Sequence, residues 1–228
     1  MVDKNEVYAV ITGDIVKSTS LDTEDFESLR ENLHDWVAVA KKWKRGVVRG
    51  KAEFTRGDSW QLLLADASMA LRIGTLIRAG LIAKGADTRF SIGVGGADSI
   101  STKRVSLSTG EAFVLSGRGL DEMNIYSNVT IQCPDSVGPL ANWLPVVGQL
   151  CDSLMSSWTG RQAEIITFAL NPKEPKQDEI ADSLNPPISR QAVTKALDGA
   201  NWNSMRSAIR AFEKTDWNAV LKNGAEKK

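Results

Sequence analysis

The sequence is poor in the residues that build zinc sites and disulfide frameworks. It contains two cysteines, Cys133 and Cys151, and one histidine in 228 residues. So few thiols and imidazoles exclude a zinc cluster and a disulfide-stabilised scaffold. Any metal must therefore be held by oxygen ligands, which favours Mg²⁺ or Mn²⁺. Neither cysteine has the basic neighbours or the helix start that activates a thiolate, so we expect both to be inert.

The chain also lacks an excess of charge and a long apolar run. Its 28 Lys and Arg residues balance 28 Asp and Glu residues, which argues against a polybasic nucleic-acid coat or a membrane-surface protein. No apolar run reaches the roughly 20 residues of a transmembrane helix. Residues 1–6 carry both charge signs and no apolar core of a secretory signal. We expect a cytoplasmic protein with no membrane partner.

The hydrophobic pattern of the first 133 residues predicts the order strand, helix, hairpin, helix, strand, helix, strand. Strands are predicted at residues 7–12, 47–54, 59–64, 88–95 and 124–132. This order predicts an α+β fold close to the ferredoxin-like topologies, with a mainly antiparallel sheet and helices on one face.

Prolines and glycines then mark a change in organisation. Residues 134–145 read as an irregular boundary, and the pattern from residue 147 onward is helical. We therefore expect a first domain at residues 1–133, a linker and connecting helix at 134–158, and a helical module at 159–228.

Two short motifs place an aspartate beside a glycine near a strand end. They are T-G-D-I-V-K-S-T at residues 12–19 and T-R-G-D-S-W-Q at residues 55–61. If the strands are neighbours, Asp14 and Asp58 face each other, and two close carboxylates repel unless a cation joins them. The motifs therefore predict an Mg²⁺ or Mn²⁺ site, to which Ile15 would add a main-chain carbonyl. Gly-Asp is also a common turn pair, so a structural role stays open.

A polar loop at residues 16–20 follows the first predicted strand and precedes a helix. Successive backbone N–H groups, hydroxyls and a helix start together suit the phosphates of a triphosphate. Lys17 adds one positive charge to this loop.

Residues 159–213 show helical segments joined by turns that contain proline. The first opens at residues 159–162, a short second one covers 177–184, and a third covers 189–197. Their apolar residues are spaced as the core of a helix-turn-helix, namely Ile180, Ala181, Leu184, Ile188, Val193 and Leu197.

The third of these segments predicts contact with DNA. Ser189 would cap the helix, and its outward face would present polar side chains to base edges or phosphates: Arg190, Gln191, Thr194 and Lys195. Its inward face would be filled by Ala192, Val193, Ala196 and Leu197. Because charges after residue 158 nearly balance, electrostatics supplies little non-specific affinity. A helical packing or dimerisation module of the same shape is the alternative.

Four segments within residues 7–123 form a family pattern: V-Y-A-V-I-T-G-D-I-V-K-S, F-T-R-G-D-S-W-Q-L-L-L, R-F-S-I-G-V-G and S-T-G-E-A-F-V-L-S-G-R. In this order they resemble the SatD-type family, bacterial palm-like domains with a C-terminal helix-turn-helix. More distantly they are similar to class III nucleotide cyclases and diguanylate cyclases. The resemblance implies a cyclase-like palm domain, metal ligands at Asp14, Asp58 and the Ile15 carbonyl, and phosphates near Ser18 and Thr19.

Three features differ from the patterns of these families. Phe54 occupies the neighbourhood of the base-selecting lysine of cyclases, and Ser59 stands where the SatD-type pattern usually has glutamate. The later helix, G-E-A-F-V-L-S-G-R-G-L-D, has no asparagine, which leaves Arg118 as the candidate cation beside the phosphates. Binding of a nucleotide is therefore better supported than its turnover.

These observations favour a nucleotide-sensing DNA-binding regulator with a divalent-metal-binding, cyclase-like domain. Its partners would be a nucleoside triphosphate or other nucleotide and double-stranded DNA, and a homodimer is left open. The alternative is an Mg²⁺- or Mn²⁺-dependent nucleotidyl cyclase or nucleotidyltransferase. A third interpretation is an interaction scaffold in which both sites are degenerate.

Overall fold

One five-stranded sheet organises the first half of the protein. The computed structural model describes residues 6–55, 57–101 and 103–225, with side chains described up to residue 222. Residues 1–5, part of the segment predicted to lack a signal, lie outside this description. The strands are β1 (Tyr8–Ile15), β2 (Val48–Thr55), β3 (Ser59–Leu64), β4 (Thr88–Gly95) and β5 (Val129–Gln132).

The strand order is β2-β3-β1-β4-β5. β1 runs antiparallel to both of its neighbours, and β2 and β3 form an antiparallel hairpin. Helix α1 (Thr23–Trp43) connects β1 to β2, and α2 (Ala70–Ile82) connects β3 to β4. This arrangement is the ferredoxin-like βαββαβ topology, and the predicted α+β fold class is confirmed.

The fifth strand departs from the predicted antiparallel pattern, because β5 runs parallel to β4. The connection between them contains α3 (Glu111–Asp121), and a crossover of this kind returns the chain in the same direction.

The prediction that the helices cover one face of the sheet is wrong. Ala9 and Ile11 of β1 belong to the main core with α1 and α2, whereas Tyr8 and Val10 belong to a smaller cluster with residues of the α3 side. α3 packs across β1 and β4 on this second face. The error has a physical cause: β4 presents Ser91 and Gly93 to α3, and small residues leave no apolar periodicity in the sequence.

Close approach of backbones explains these small residues. A Cβ added to Gly93 would lie 2.3 Å from the Ala112 carbonyl oxygen and 2.5 Å from the Ser116 nitrogen. A Cβ added to Gly119 would lie 2.4 Å from the Ser91 hydroxyl oxygen. The close contact between α3 and the sheet therefore depends on a glycine in each element, Gly93 in β4 and Gly119 in α3.

Helices make up the described second half of the chain. They are α4 (Pro139–Met155), α5 (Gly160–Ala169), α6 (Gln177–Ser183), α7 (Arg190–Gly199), α8 (Trp202–Lys214) and α9 (Trp217–Ala225). The predicted irregular boundary at 134–145 is wrong for its second half. Pro139 lies in the first turn of α4, where its missing N–H costs no helical bond, and Pro145 lies inside the same helix. Across the described residues, every helix is too short or too polar to traverse a bilayer.

The helical half and the sheet half share one core. All residues of α2 from 70 to 81 are buried, and buried residues of α5, α7 and α8 belong to the same cluster as those of α1 and α2. Arg72 of α2 donates to both carboxylate oxygens of Glu213 in α8, and it also donates to the Leu170 carbonyl at 2.8 Å. The boundaries at residues 133 and 158 remain sequence predictions.

The contact between α3 and the sheet generates a first testable prediction. Replacing Gly93 with Ala should lower the free energy of unfolding by about 1–3 kcal/mol, because the added methyl group meets backbone atoms that cannot rotate away. Chemical denaturation followed by circular dichroism measures the loss.

Gly117→Ala is the matched control within α3, since a Cβ at residue 117 meets no atom within 4 Å. Alanine also favours the helix, so this variant should be as stable as the parent or gain up to about 1 kcal/mol. Equal stability of the two variants would contradict the packing described here.

Candidate functional site

The two predicted aspartates lie at the same end of the sheet. Asp14 is the penultimate residue of β1 and pairs in register with Ser59 of β3. Asp58 precedes β3 directly, and its carbonyl accepts a hydrogen bond from the Ile15 N–H at 3.3 Å. Gly57 of the hairpin tip has a φ of +82°, and its neighbour Arg56 lies outside the described residues. The backbones that carry the two carboxylates are therefore in direct contact.

Asp14 is engaged by an arginine that the sequence analysis did not single out. Arg89 of β4 pairs in register with Asp14, and its Nε donates to the two carboxylate oxygens at 2.8 and 2.9 Å. Its Nη2 lies 2.8 Å from Asp14 Oδ2. Hydrogen bonding to Asp14, and then the charges of Asp14, Asp58 and Asp121, raise the pKa of Arg89. Arg89 thus lies within the field of both predicted metal ligands.

Asp58 is engaged from the loop that follows β1. The Ser18 hydroxyl donates to Asp58 Oδ2 at 2.5 Å. The start of this loop is held by β4, since the Val16 N–H donates to the Asp87 carbonyl at 2.9 Å and the Thr88 hydroxyl donates to the Asp14 carbonyl at 2.5 Å. Hydrogen bonds therefore tie the strand end, the loop and the hairpin tip together.

The residues in this arrangement do not fit a preformed divalent-metal site. Both carboxylate oxygens of Asp14 accept from Arg89, and a metal ion at Asp14 would have to displace the guanidinium. Among the described residues, no three His, Cys, Asp or Glu side chains are grouped so that they could hold an ion. The metal-ligand roles of Asp14, Asp58 and the Ile15 carbonyl stay predictions.

The loop geometry favours anion binding at Lys17. This residue has left-handed backbone angles, φ 58° and ψ 31°, and a 3-10 turn, Ser18–Ser20, follows it. Left-handed and right-handed residues in succession turn their N–H groups toward one concave side, which attracts anions. Lys17 and Thr19 are exposed, and their nucleotide-binding role, like that of Ser18, stays a prediction.

The start of α1 contributes less than expected to such a site. Asp22 caps the helix by accepting from the Asp25 N–H at 2.8 Å, and Glu24 and Asp25 place negative charge in the first turn. These carboxylates satisfy and neutralise the positive end of the helix dipole. These contacts weigh against a phosphate at the helix start, and the role of the helix start in phosphate binding stays a prediction.

Two further positions come from the cyclase pattern. Arg118 is exposed on α3, and no hydrogen bond or ion pair within the described residues joins it to Asp14 or Asp58. Phe54 packs toward α1, with its ring centroid 6.5 Å from that of Phe26 and 4.8 Å from the Arg30 guanidinium carbon.

A buried arginine joins the start of β4 to α4 by hydrogen bonds. The Arg78 side chain of α2 is fully buried and bonds Asp87 through Nε at 2.7 Å and through Nη2 at 3.0 Å. Its Nη1 donates to Asp152 of α4 at 2.6 Å and its Nη2 to the Ser156 hydroxyl at 2.9 Å. Burial acts to lower the pKa of Arg78, but bonds and charges of Asp87 and Asp152 raise it. The network therefore links Asp87, whose carbonyl accepts from the Val16 N–H, to Asp152 of α4.

The second candidate site lies on α6 and α7, the two helices that the sequence predicts to form a helix-turn-helix. The Ser189 hydroxyl oxygen accepts from the Ala192 N–H at 3.2 Å and caps α7 as expected. The predicted core residues are buried, except that Ile188 is half-buried: Ile180, Ala181, Leu184, Val193 and Leu197.

The outward face of α7 differs from the prediction in two residues. Arg190, Gln191 and Lys195 are exposed as expected, but Thr194 is half-buried and its hydroxyl donates to Gln177 Oε1 at 2.6 Å. Ala192, predicted to face inward, is exposed. Thr194 is covered because Gln177, the first residue of α6, bonds its hydroxyl.

A groove adjoins this exposed face. It runs between the start of α5 and α7, and its lining includes Arg161, Gln191, Lys195 and Asp198 together with the apolar Ala192 and Ala196. Arg161 lies on α5, with side chain 42% exposed, and pairs with Glu164 at 2.5 Å.

The cysteines are inert in the structure as expected. Cys133 and Cys151 are buried free thiols. Burial, with neighbouring acidic charges, raises the pKa of Cys133 to about 11 and that of Cys151 to about 12, so neither forms a thiolate near neutral pH.

Comparisons with known proteins found similar solved structures but no family. No family model matches the chain, and no curated protein matches it. The catalytic core of a rhodopsin-guanylyl cyclase with converted specificity, in complex with ATPalphaS, is 18% identical with a TM-score of 0.41, over 57% of this chain and 78% of that chain. The non-canonical dimeric guanylyl cyclase domain of the RhoGC fusion protein from the aquatic fungus Blastocladiella emersonii is 18% identical with a TM-score of 0.37. This match covers 52% of this chain and 75% of that chain. The fold class rests on the strand order, and the SatD-type resemblance stays a prediction.

The buried arginine generates the second prediction. Arg78→Met should lower the free energy of unfolding by about 3–5 kcal/mol, because Asp152 would remain buried without its cationic partner. Urea denaturation measures the change.

Arg161→Met is the control, because the Arg161–Glu164 pair has about the same chemistry on an exposed helix surface. This variant should change stability by no more than about 0.5 kcal/mol. A small effect of Arg78→Met would mean that the network does not support the site.

Proposed function

We propose that this protein is a cytoplasmic, nucleotide-sensing DNA-binding regulator of the SatD type, in which a cyclase-like palm domain senses the nucleotide and a helix-turn-helix contacts DNA. The observation that carries the proposal is the exposure of Arg190, Gln191 and Lys195 on the capped first turns of α7. A helix that enters the major groove contacts bases with its N-terminal residues.

Two contacts support the DNA half of the proposal. The bond from Thr194 to Gln177 fixes α7 against α6, so the exposed side chains project from a rigid element. Arg161 at the start of α5 borders the same groove, where it would contact a phosphate of the DNA backbone. Because the whole chain has no net charge, affinity for DNA would depend on these local contacts rather than on a general field.

The nucleotide half rests on the loop after β1. Lys17 has left-handed backbone angles directly before the 3-10 turn, and the adjacent Ser18 bonds Asp58. A phosphate bound at Lys17, Ser18 and Thr19 would therefore act directly on the position of the hairpin tip. Arg118 would approach the ligand from α3.

The Arg78 network offers a route between the two halves. Val16 bonds Asp87, Asp87 bonds Arg78, and Arg78 bonds Asp152 of α4. α4 leads through Trp158 into α5, and the Trp158 indole N–H donates to the Ala200 carbonyl after α7 at 2.9 Å. For regulation, the nucleotide must bind one arrangement of this route more tightly than another.

The enzymatic alternative is a nucleotidyl cyclase or nucleotidyltransferase that uses Mg²⁺ or Mn²⁺ at Asp14 and Asp58. The contact between the backbones of Ile15 and Asp58 favours it, whereas the pairing of Asp14 with Arg89 opposes it. Incubation with labelled nucleoside triphosphates and Mn²⁺ separates the two. Release of pyrophosphate that Asp58→Asn abolishes would replace the regulator proposal with the enzyme, and an intact nucleotide pool would support the regulator.

The DNA half predicts the behaviour of a double variant. Arg190→Ala with Lys195→Ala should leave the melting temperature nearly unchanged, since both side chains are exposed. Its binding to a target selected from random double-stranded DNA by the wild-type protein should weaken by about 1–3 kcal/mol if either side chain contacts a guanine. Fluorescence anisotropy across several salt concentrations measures the affinity.

The matched control is Lys42→Ala with Lys84→Ala, which removes two exposed positive charges from α1 and the turn after α2. Its DNA affinity should equal that of the parent. Failure of the wild-type protein to select any DNA, or equal losses in both double variants, would exclude α7 as the recognition helix.

The nucleotide half predicts a second binding measurement. Calorimetric titration with the four nucleoside triphosphates should show binding of at least one, and Lys17→Ala should weaken it by about three- to tenfold, the usual range for loss of one exposed charged contact. Lys214→Ala in α8 removes an equally exposed lysine and should have no effect. Absence of binding by the wild-type protein would refute the sensing role.

A further inference from the structure

The carboxylate pair already contains a cation. Arg89 reaches Asp14 with Nε and Nη2 at 2.8–2.9 Å, and the Ile15 N–H beside Asp14 donates to the Asp58 carbonyl. The pairing is built into the sheet, because Asp14 and Arg89 are directly opposed residues of adjacent antiparallel strands. It is therefore a property of the strand register and not of a mobile loop.

Charge balance shows what this cation does. Two carboxylates with adjoining backbones carry a charge of about −2, which a divalent ion or a guanidinium reduces. Arginine stays protonated at every physiological pH, and its planar fork suits carboxylates and phosphates equally. The Arg89 side chain is 40% exposed while that of Asp14 is 17% exposed, so the guanidinium has an open side toward solvent.

We propose that Arg89 takes the place of a divalent cation at this site and links the Asp14–Asp58 pair to a phosphate group of the ligand. Phosphate on the open side of Arg89 would lie next to the Ser18 hydroxyl, which bonds Asp58. The inference rests on the proposed function for the presence of a nucleotide, but it assigns the metal-replacing role to a residue of the chain itself. Nucleotide binding by this protein is then independent of Mg²⁺ and Mn²⁺.

The first arm of the test omits the nucleotide. Mn²⁺ is titrated into the full-length protein and followed by electron paramagnetic resonance, for the wild type and for Arg89→Gln. Loss of Arg89 frees both carboxylate oxygens of Asp14, so the variant should bind one Mn²⁺ at least about tenfold more tightly than the wild type. Adding Asp14→Asn to Arg89→Gln should abolish the gain.

Arg104→Gln is the matched control, because Arg104 also pairs with a carboxylate, Glu53 at 2.6 Å, on the second face of the sheet. In this variant Ser106 still bonds both carboxylate oxygens of Glu53, so it should bind Mn²⁺ no better than the wild type. Wild-type protein that binds Mn²⁺ as tightly as Arg89→Gln, with the binding lost in Asp14→Asn, would overturn the inference.

The second arm adds the nucleoside triphosphate that calorimetry identifies. Wild-type affinity should be the same in EDTA and in Mn²⁺, whereas Arg89→Gln should bind at least about tenfold more weakly in EDTA and recover in Mn²⁺. Wild-type binding that EDTA abolishes would overturn the inference, even if Arg89→Gln fails to fold. Wild-type protein that binds no nucleotide refutes the proposed function alone, and the Mn²⁺ titration still decides the role of Arg89.

Discussion

The burial of one positive charge constrains the rest of the structure. Arg78 has no access to solvent, and a charge in that position is tolerated only with hydrogen-bonded partners of opposite charge. Its partners belong to two different elements, because Asp87 directly precedes β4 and Asp152 lies in α4. Asp87 in turn holds the loop after β1 through Val16. The geometry of the carboxylate site and the placement of the helical half thus depend on the same guanidinium.

Electrostatic pairing of a different kind defines the site itself. Arg78 is fully buried, whereas the Arg89 side chain is partly exposed to solvent. Both pair with aspartates at the same end of the sheet. Asp14, Asp87 and Asp152 are thus paired with the chain's own arginines, whereas Asp58 accepts a hydrogen bond from Ser18.

The sequence predicted the elements well where apolar residues alternate or recur with clear turns. β3 and β4 have the predicted bounds, because Phe90, Ile92 and Val94 mark one face of β4 without ambiguity. The placement of α3 was not predictable in this way, since Ser91, Gly93 and Gly119 make a contact of small residues that has no hydrophobic signature.

The same limit explains what the sequence missed at the candidate sites. Alternation in β4 places Arg89 on the face opposite the main core, but its pairing with Asp14 requires the register between β1 and β4, which no local pattern contains. On α7 the period of the helix correctly identified Arg190, Gln191 and Lys195 as exposed, and it failed at Thr194 because the contact comes from Gln177 of another helix.

The complete burial of α2 has a consequence for how this architecture is inherited. A DNA-binding module that is joined to a sensor by a flexible linker can be exchanged between proteins as an autonomous piece. Here the apolar residues of α5 and α8 share one core with the sheet half, and excision would leave them facing water as a surface prone to aggregation. Substitutions on the two sides of this contact must therefore be accepted together, and the sheet half and the helical half evolve as one unit.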